Sequence, residues 1–160
     1  MSLAARAAII NIVNAVTVGT PASALRFVAR PEGAHPPLEE VIDRRRLFEL
    51  DDAPVQSEQH QINTTCQSQW MDELRIRIRY PRQQPGVNPG RRGLYSEDVR
   101  AITKAIQNPA TVGETWSADT LHIIIGTRGP RWTAVPILGG QDGRPLGAIV
   151  EIPVWLEYND

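Results

Sequence analysis

The side chains that most often do chemistry are few in this sequence, and no two of them fall at a spacing that predicts a site. Cys66 is the only cysteine, so neither an intrachain disulfide nor a thiolate metal cluster can form. It lies in the polar run 62–68, without a cationic neighbour or a helix start that would activate the thiol. We therefore interpret Cys66 as an inert thiol.

The histidines are scattered, and none has a second ligand at helical spacing: His35, His60 and His122. A metal site needs several such ligands that converge on one point. Adjacent acids recur along the chain, and surface charge or helix capping explains each pair: Glu39-Glu40, Asp51-Asp52, Asp72-Glu73 and Glu97-Asp98. The sequence thus predicts no metal site and no cofactor.

The glycine-rich segments 126–129 and 139–143 lack the strand-to-helix context in which backbone amides cradle a phosphate. Catalytic residues need not be close in sequence, but no arrangement of the other polar residues indicates a nucleophile with its base. We predict that the protein is not an enzyme and has no catalytic, cofactor-binding or metal-binding residue.

The charged residues are more informative than the candidate catalysts. The 17 basic residues nearly cancel the 18 acidic ones, for a formal net charge of -1. Lys104 is the only lysine, so 17 minus 1 leaves 16 arginines. The near-neutral total argues against a domain held to nucleic acid by its net charge. Two explanations of the arginine excess stay open: a GC-rich coding genome, and the use of planar guanidinium forks at interfaces.

These charges are separated into two adjoining blocks. The acidic block, residues 47–73, sums to -6, and the basic block, residues 74–95, sums to +6. The acidic block contains Glu49, Asp51, Asp52, Glu58, Asp72 and Glu73 without a basic residue, and the basic block contains Arg75, Arg77, Arg79, Arg82, Arg91 and Arg92 without an acid. Although the chain is nearly neutral overall, its charges are therefore segregated along the sequence.

Three interpretations of this pattern stay open. Arg75, Arg77 and Arg79 could lie across from Glu151 and Glu157 on neighbouring strands, where opposite charges contribute only about 0.2–1 kcal/mol per pair. Alternatively, the acidic block of one subunit could meet the basic block of the next, a heterologous contact of the kind that closes into rings. The third interpretation is a basic patch that contacts a nucleic-acid backbone, with few aromatic residues available for base stacking.

The elements that must position these charges follow from hydrophobic periodicity. A chain of 160 residues with 41% hydrophobic content fits one domain, residues 1–160, with an ordinary core. Apolar spacings of three and four predict a first helix over 3–16, with Ser2 as its cap, rather than a signal peptide. A second helix is predicted from the cap Ser96 to Asn108-Pro109, with Val99, Ile102 and Ile106 as its apolar stripe. No stretch approaches the roughly 20 apolar residues of a membrane span.

The clearest strand signal is the alternation over 74–80. Leu74, Ile76, Ile78 and Tyr80 are predicted to face a core, with the intervening arginines on the other face. Further strands are predicted over 22–30, 44–50, 121–125, 131–138 and 146–158, with a helical turn over 38–43. Residues 53–69 form either a long loop or an edge strand.

The segment 81–94 is rich in proline, glycine and arginine, and we predict a long loop there, of a length that is typical of functional or disordered segments. The segregated order of helices and strands favours an α+β fold, with a sheet that has its helices on one face.

The chain also resembles a known family. The arginine-rich strand ends with Phe48-Glu49-Leu50, and the segment 74–81 follows with the sequence LRIRIRYP. The helix at 96–102 and the terminal segment 150–158 complete the pattern. Together they resemble the tail-terminator proteins of long-tailed bacteriophages and related prophage or gene-transfer particles.

The resemblance implies a small α+β subunit, with a mixed, mainly antiparallel sheet and two main helices packed on one face. It implies a homo-oligomeric ring, of six subunits in that family, that caps the tail tube protein and docks to head-completion or stopper proteins. Phage DNA would pass through this ring without sequence-specific binding, and the location would be the tail or neck of the virion, or the host cytoplasm during assembly. No membrane partner and no catalytic residue is implied.

Two hypotheses connect this family to the charge pattern. The first assigns the contact between subunits to the two blocks: Asp51, Asp52, Asp72, Glu73, Arg75, Arg77 and Arg79. The second places Arg82, Arg91 and Arg92 on a loop that reaches a partner or the lumen of the ring. Two alternatives stay open: another neck, tail-completion or baseplate structural protein, and a small nucleic-acid-binding α+β module.

Overall fold

The computed structural model describes nine segments: residues 3–18, 25–30, 45–52, 58–61, 68–81, 91–116, 120–125, 132–137 and 147–159. The helices are α1 (Leu3–Ala15) and α2 (Arg91–Gln107), and a short 3₁₀ helix follows at Pro109–Val112. The strands are β1 (Thr17–Val18), β2 (Leu25–Ala29), β3 (Arg45–Asp52), β4 (Glu58–Gln61), β5 (Ser68–Pro81), β6 (Thr120–Ile125), β7 (Thr133–Ile137) and β8 (Gly147–Asn159). No helix in these segments is long and apolar enough to cross a membrane.

All eight strands belong to one sheet, whose main path runs β1-β2-β3-β5-β8-β6. β2 and β3 pair in parallel, whereas the other neighbours pair antiparallel, so the sheet is mixed and mainly antiparallel. β4 pairs with β5 beyond the end of β3, and β7 pairs with β8 beyond the end of β6. The predicted α+β class is confirmed.

The centre of the sheet is the long ribbon formed by β5 and β8. The two strands pair without interruption from Gln69 opposite Asn159 to Pro81 opposite Gly147. β5 has 14 residues, which at about 3.3 Å per residue makes a strand roughly 46 Å long. This ribbon is therefore the scaffold on which the flanking strands are aligned.

Alternation along the ribbon produces the core on one face. Leu74, Ile76, Ile78 and Tyr80 of β5 are buried, as the sequence predicted, and β8 contributes Val150, Ile152, Val154 and Leu156. These side chains form one cluster with the apolar stripes of both helices, including the predicted Val99, Ile102 and Ile106. The finer expectation, that both helices pack on the same face of the sheet, stays a prediction.

Helix α1 also covers the β2–β3 side of the sheet with polar side chains. A guanidinium nitrogen of Arg6 donates to the carbonyl oxygen of Leu50 at 3.0 Å, and the side-chain oxygen of Asn14 accepts from the backbone N–H of Ala29 at 3.0 Å. Both backbone groups lie where a neighbouring strand has ended. The helix thus satisfies backbone groups that a free strand edge would leave open to pairing.

The structure corrects the predicted start of α2. The helix begins at Arg91, so Ser96 lies inside it and is not its cap. Arginine and leucine favour helix, and the buried Tyr95 packs against Tyr80 and Trp132, with ring centroids 4.5 Å and 6.3 Å away. The contacts of Tyr95 thus accompany a helix that begins earlier than the local capping signal indicates.

The same boundary changes the predicted loop. Arg91 and Arg92 belong to the first turn of α2 rather than to a loop over 81–94, while Pro81 ends β5. Arg82 lies outside the described residues, as do Ser2 and the predicted turn over 38–43. Within the undecided segment 53–69, residues 58–61 form β4, and β5 begins at Ser68.

Candidate functional site

The face of the sheet opposite the core carries a row of alternating charges. The residues between the buried side chains of β3, β5 and β8 point to this face, and they include Glu49, Arg77 and Glu151. Glu49 pairs in register with Arg77, and Arg77 pairs with Glu151 on the other side. Arg30 follows β2 at the position next to Glu49. We call these four residues the ion stripe: Arg30, Glu49, Arg77 and Glu151.

Short distances join the members of the ion stripe. Arg30 donates to Glu49 at 2.9 Å, and the Nε atom of Arg77 lies 3.1 Å from a carboxylate oxygen of Glu151. Arg77 and Glu49 are 3.7 Å apart, which is an ion pair without a hydrogen bond. The charges therefore alternate, positive and negative, across four neighbouring strands.

Two more charges join the stripe on its flanks. Asp51 accepts a hydrogen bond from Arg77 at 3.1 Å, and Arg79 lies 3.7 Å from Glu49. Three arginines thus meet three carboxylates. Except for Asp51, which is 51% exposed, these side chains are half-buried, so each pair is screened less than a fully exposed one.

This arrangement answers part of the question that the charge blocks raised. Antiparallel pairing of β3 with β5 places the acidic block beside the basic block. Of the three arginines that one interpretation placed across from Glu151 and Glu157, Arg77 does lie opposite Glu151, whereas Arg79 lies opposite Ile149. Arg75 lies between Asp51 and Pro153 in the register. The side chain of Glu157 lies outside the described part of the chain.

The remaining residues of the interface hypothesis are placed by their backbone alone. Asp52 pairs with Leu74, Asp72 with Leu156, and Glu73 with Trp155. The last two belong to the end of the ribbon that extends past β3. Their role between subunits stays a prediction.

Apolar side chains accompany the ion stripe in the adjoining row of the same face. Val28 pairs with Leu47, and Ile149 pairs with Arg79 and with Val135. Val28 is 36% exposed and Val135 is 48% exposed, and they are the large hydrophobic side chains that the described segments leave exposed. This face therefore combines balanced charge with accessible apolar surface.

A second polar feature lies in the core and was missed by sequence reasoning. Asp98 was interpreted as a surface acid of a first helical turn, but it is fully buried. The Tyr80 hydroxyl donates to its carboxylate at 2.5 Å, and Tyr95 packs on Tyr80. The available signal was its spacing, because Asp98, Ile102 and Ile106 recur every four residues along one side of α2.

Among the described residues, no group of three or more His, Cys, Asp or Glu side chains is arranged to hold a metal ion. The histidine side chains of β4 and β6 lie outside that description. Comparison with protein-family models gives no match, and comparison with curated proteins gives none either.

Proposed function

We propose that the protein is a structural subunit of a phage tail, a tail terminator that forms a ring on the tail tube and joins it to head-completion proteins. One observation supports this proposal above the others. The segments that carry the resemblance are β3, β5, part of α2 and β8, and all four contribute side chains to one core cluster. The matching segments thus form one structural unit with the class of fold that the resemblance implies.

The ion pairs favour protein contact over nucleic-acid binding. A phosphate-binding surface needs arginines whose charge is available to the backbone of the nucleic acid. Arg30, Arg77 and Arg79 instead lie against carboxylates of their own chain. We therefore propose a protein that lets DNA pass rather than one that holds it.

The contact between subunits remains part of the proposal. Asp51 and Arg77 pair within one chain, so a substitution at either of them also disturbs the ion stripe. Asp72 and Glu73, on the end of the ribbon beyond β3, are better placed to test a head-to-tail contact without disturbing the ion stripe.

The direct test is to locate the protein in purified particles by electron microscopy with a labelled chain. We expect a ring between tail tube and head, and tails of uncontrolled length without attached heads when the gene is deleted. A label elsewhere in the particle, or normal particles in its absence, would contradict the proposal.

A paired substitution tests the subunit contact. The double variant Asp72→Lys with Glu73→Lys should fail to form rings on isolated tail tubes, whereas the control Glu97→Lys on the exposed side of α2 should form them normally. Arg77→Glu should also abolish rings, but it places a fourth carboxylate among Glu49, Asp51 and Glu151, so its fold must be verified first. Normal rings from the double variant would exclude this contact.

An oligonucleotide titration distinguishes the nucleic-acid-binding alternative from the proposed structural role. We expect little binding of a labelled duplex at physiological salt. Tight binding that weakens steeply as salt rises would favour a nucleic-acid module instead.

A further inference from the structure

The order of charges in the ion stripe makes it complementary to itself. Across β2, β3, β5 and β8 the signs are positive, negative, positive and negative. When such a row of four is reversed, every positive position meets a negative one. Two copies packed face to face acquire this reversal if they are related by a two-fold axis parallel to the strands, midway between β3 and β5.

We propose that this sheet face docks a second copy of the same chain, as a two-fold symmetric dimer with that axis. Arg30 then faces Glu151 of the second copy, and Glu49 faces Arg77 of the second copy. A two-fold axis along the stripe would instead place each charge opposite itself. Complementary charge of this kind selects the orientation of a complex more than it adds affinity.

Two contacts in the neighbouring rows agree with the same axis, whereas Leu47 of β3 comes to face Arg79 of the second copy. Asp51 on β3 comes to face Arg75 of the second copy, which is again a pair of opposite charge. Val28 on β2 comes to face Ile149 of the second copy, so apolar surface covers apolar surface. Val135 lies one strand farther out, on β7, which this axis brings opposite β1 of the second copy.

The size of the overlap sets the expected affinity. Four strands about 4.8 Å apart, over the length of the eight-residue β3, give a patch of roughly 500 Å² in flat area per copy. Stable interfaces bury about 800 Å² per partner, and smaller ones belong to transient complexes. The dimer is therefore weak and forms in the micromolar range or above.

This contact is independent of the proposed tail function. An isologous contact uses the same patch on both copies and closes at two subunits, so it cannot propagate into a ring. Its failure would leave the ring hypothesis unchanged, and its success would describe the subunit before assembly.

Sedimentation equilibrium of the full chain over a wide concentration range tests the dimer. We expect the wild type to pass from monomer to dimer as concentration rises, and Val28→Glu to shift the dissociation constant at least tenfold upward. The matched control is Gln107→Glu, which adds the same single negative charge at an exposed position of α2, and it should dimerise as the wild type does. A wild type that stays monomeric throughout, or equal sensitivity to both substitutions, would overturn the proposal.

Cross-linking provides a second readout that does not depend on a destabilising charge. In a Cys66→Ser background, Val28→Cys with Ile149→Cys should yield covalent dimers with a short bismaleimide. The two positions are three strands apart within one chain, about 14 Å, so that reagent should link different copies. Each single cysteine variant is the control and should yield no covalent dimer. Equal dimer yield from the single variants, or none from the double variant, would reject the two-fold register.

Discussion

Arg77 is the side chain on which the ion pairs of the sheet converge. It contacts Glu151 and Asp51 at 3.1 Å each and Glu49 at 3.7 Å. A guanidinium offers five N–H donors in a planar fork, which lets one cation serve several carboxylates. Its loss would leave three like charges close together in a half-buried site.

We predict that Arg77→Gln lowers the free energy of unfolding by about 1–2 kcal/mol, more than a single exposed ion pair contributes. The control is Arg100→Gln, an exposed arginine on α2, where a surface substitution should change stability by at most about 0.5 kcal/mol. Urea unfolding at low and high salt measures both variants, and the Arg77 effect should shrink at high salt because screening weakens the repulsion among the remaining carboxylates. Equal losses in the two variants would contradict the network.

The buried pair of Tyr80 and Asp98 gives a second prediction at this scale. Tyr80→Phe removes the hydroxyl that donates to a fully buried carboxylate, and it should cost about 1–3 kcal/mol of unfolding free energy. In an Asp98→Asn background the same substitution should cost less, because a neutral amide is less expensive to leave without that donor. Equal costs in both backgrounds, measured by urea unfolding, would show that the two side chains are not coupled.

These residues show how far a single sequence can predict a site. The strand alternation over 74–80 placed the arginines on the face opposite the core, where Arg77 meets Glu151. Nothing local indicated that Arg30, which follows a different strand, would extend the row. Asp98 was misplaced because its negative charge suggested exposure, although its spacing placed it on the buried side of the helix.

At the scale of elements, the local sequence predicts one end of α2 and not the other. Its C-terminal end was predicted from Asn108-Pro109, because proline cannot continue a helix, and α2 does end at Gln107. Its start was wrong by five residues, since it depends on contacts of Tyr95 with residues distant in sequence. The strand β4 is polar throughout, so no alternation of apolar and polar residues predicts it. It forms by pairing with β5.

The turn after the 3₁₀ helix supplies a prediction at the scale of elements. Gly113 has φ of +78° and its N–H bonds the carbonyl of Ala110 at 3.2 Å. A Cβ added there would meet no atom within 4 Å, so Gly113→Ala should lose only the backbone preference, about 1–2 kcal/mol. Gly113→Asn should lose less, because asparagine tolerates the left-handed region. Thermal unfolding of the two variants compares them, and a neutral Gly113→Ala would contradict the assigned conformation.

At the scale of the whole molecule, the order of strands along the chain differs from their order in the sheet. β8 comes last in the sequence among the described strands, yet it lies at the centre, with β5 on one side and β6 and β7 on the other. Contacts between β8 and β5 join residues that lie 66 to 90 positions apart in the chain, so the core forms only after distant segments meet. Folds dominated by such contacts form slowly compared with helical proteins.

This arrangement predicts that removal of residues 147–160 prevents folding rather than trimming an end. The deletion would take away four fully buried side chains, Val150, Ile152, Val154 and Leu156. At about 1.5–3 kcal/mol each they amount to roughly 6–12 kcal/mol, comparable with the whole stability of a domain. We expect the fragment 1–146 to lack a cooperative unfolding transition by circular dichroism.

The matched control ends the chain at Tyr158, which removes only one paired position of the ribbon, Asn159 opposite Gln69, and should unfold as cooperatively as the full chain. A synthetic peptide of residues 147–160, added to the fragment 1–146, should restore structure in proportion to its concentration, because it supplies both the missing core face and the central hydrogen-bonding strand. If the fragment alone unfolded cooperatively with near-native stability, β8 could not be the strand that completes the core or that holds Glu151 beside Arg77.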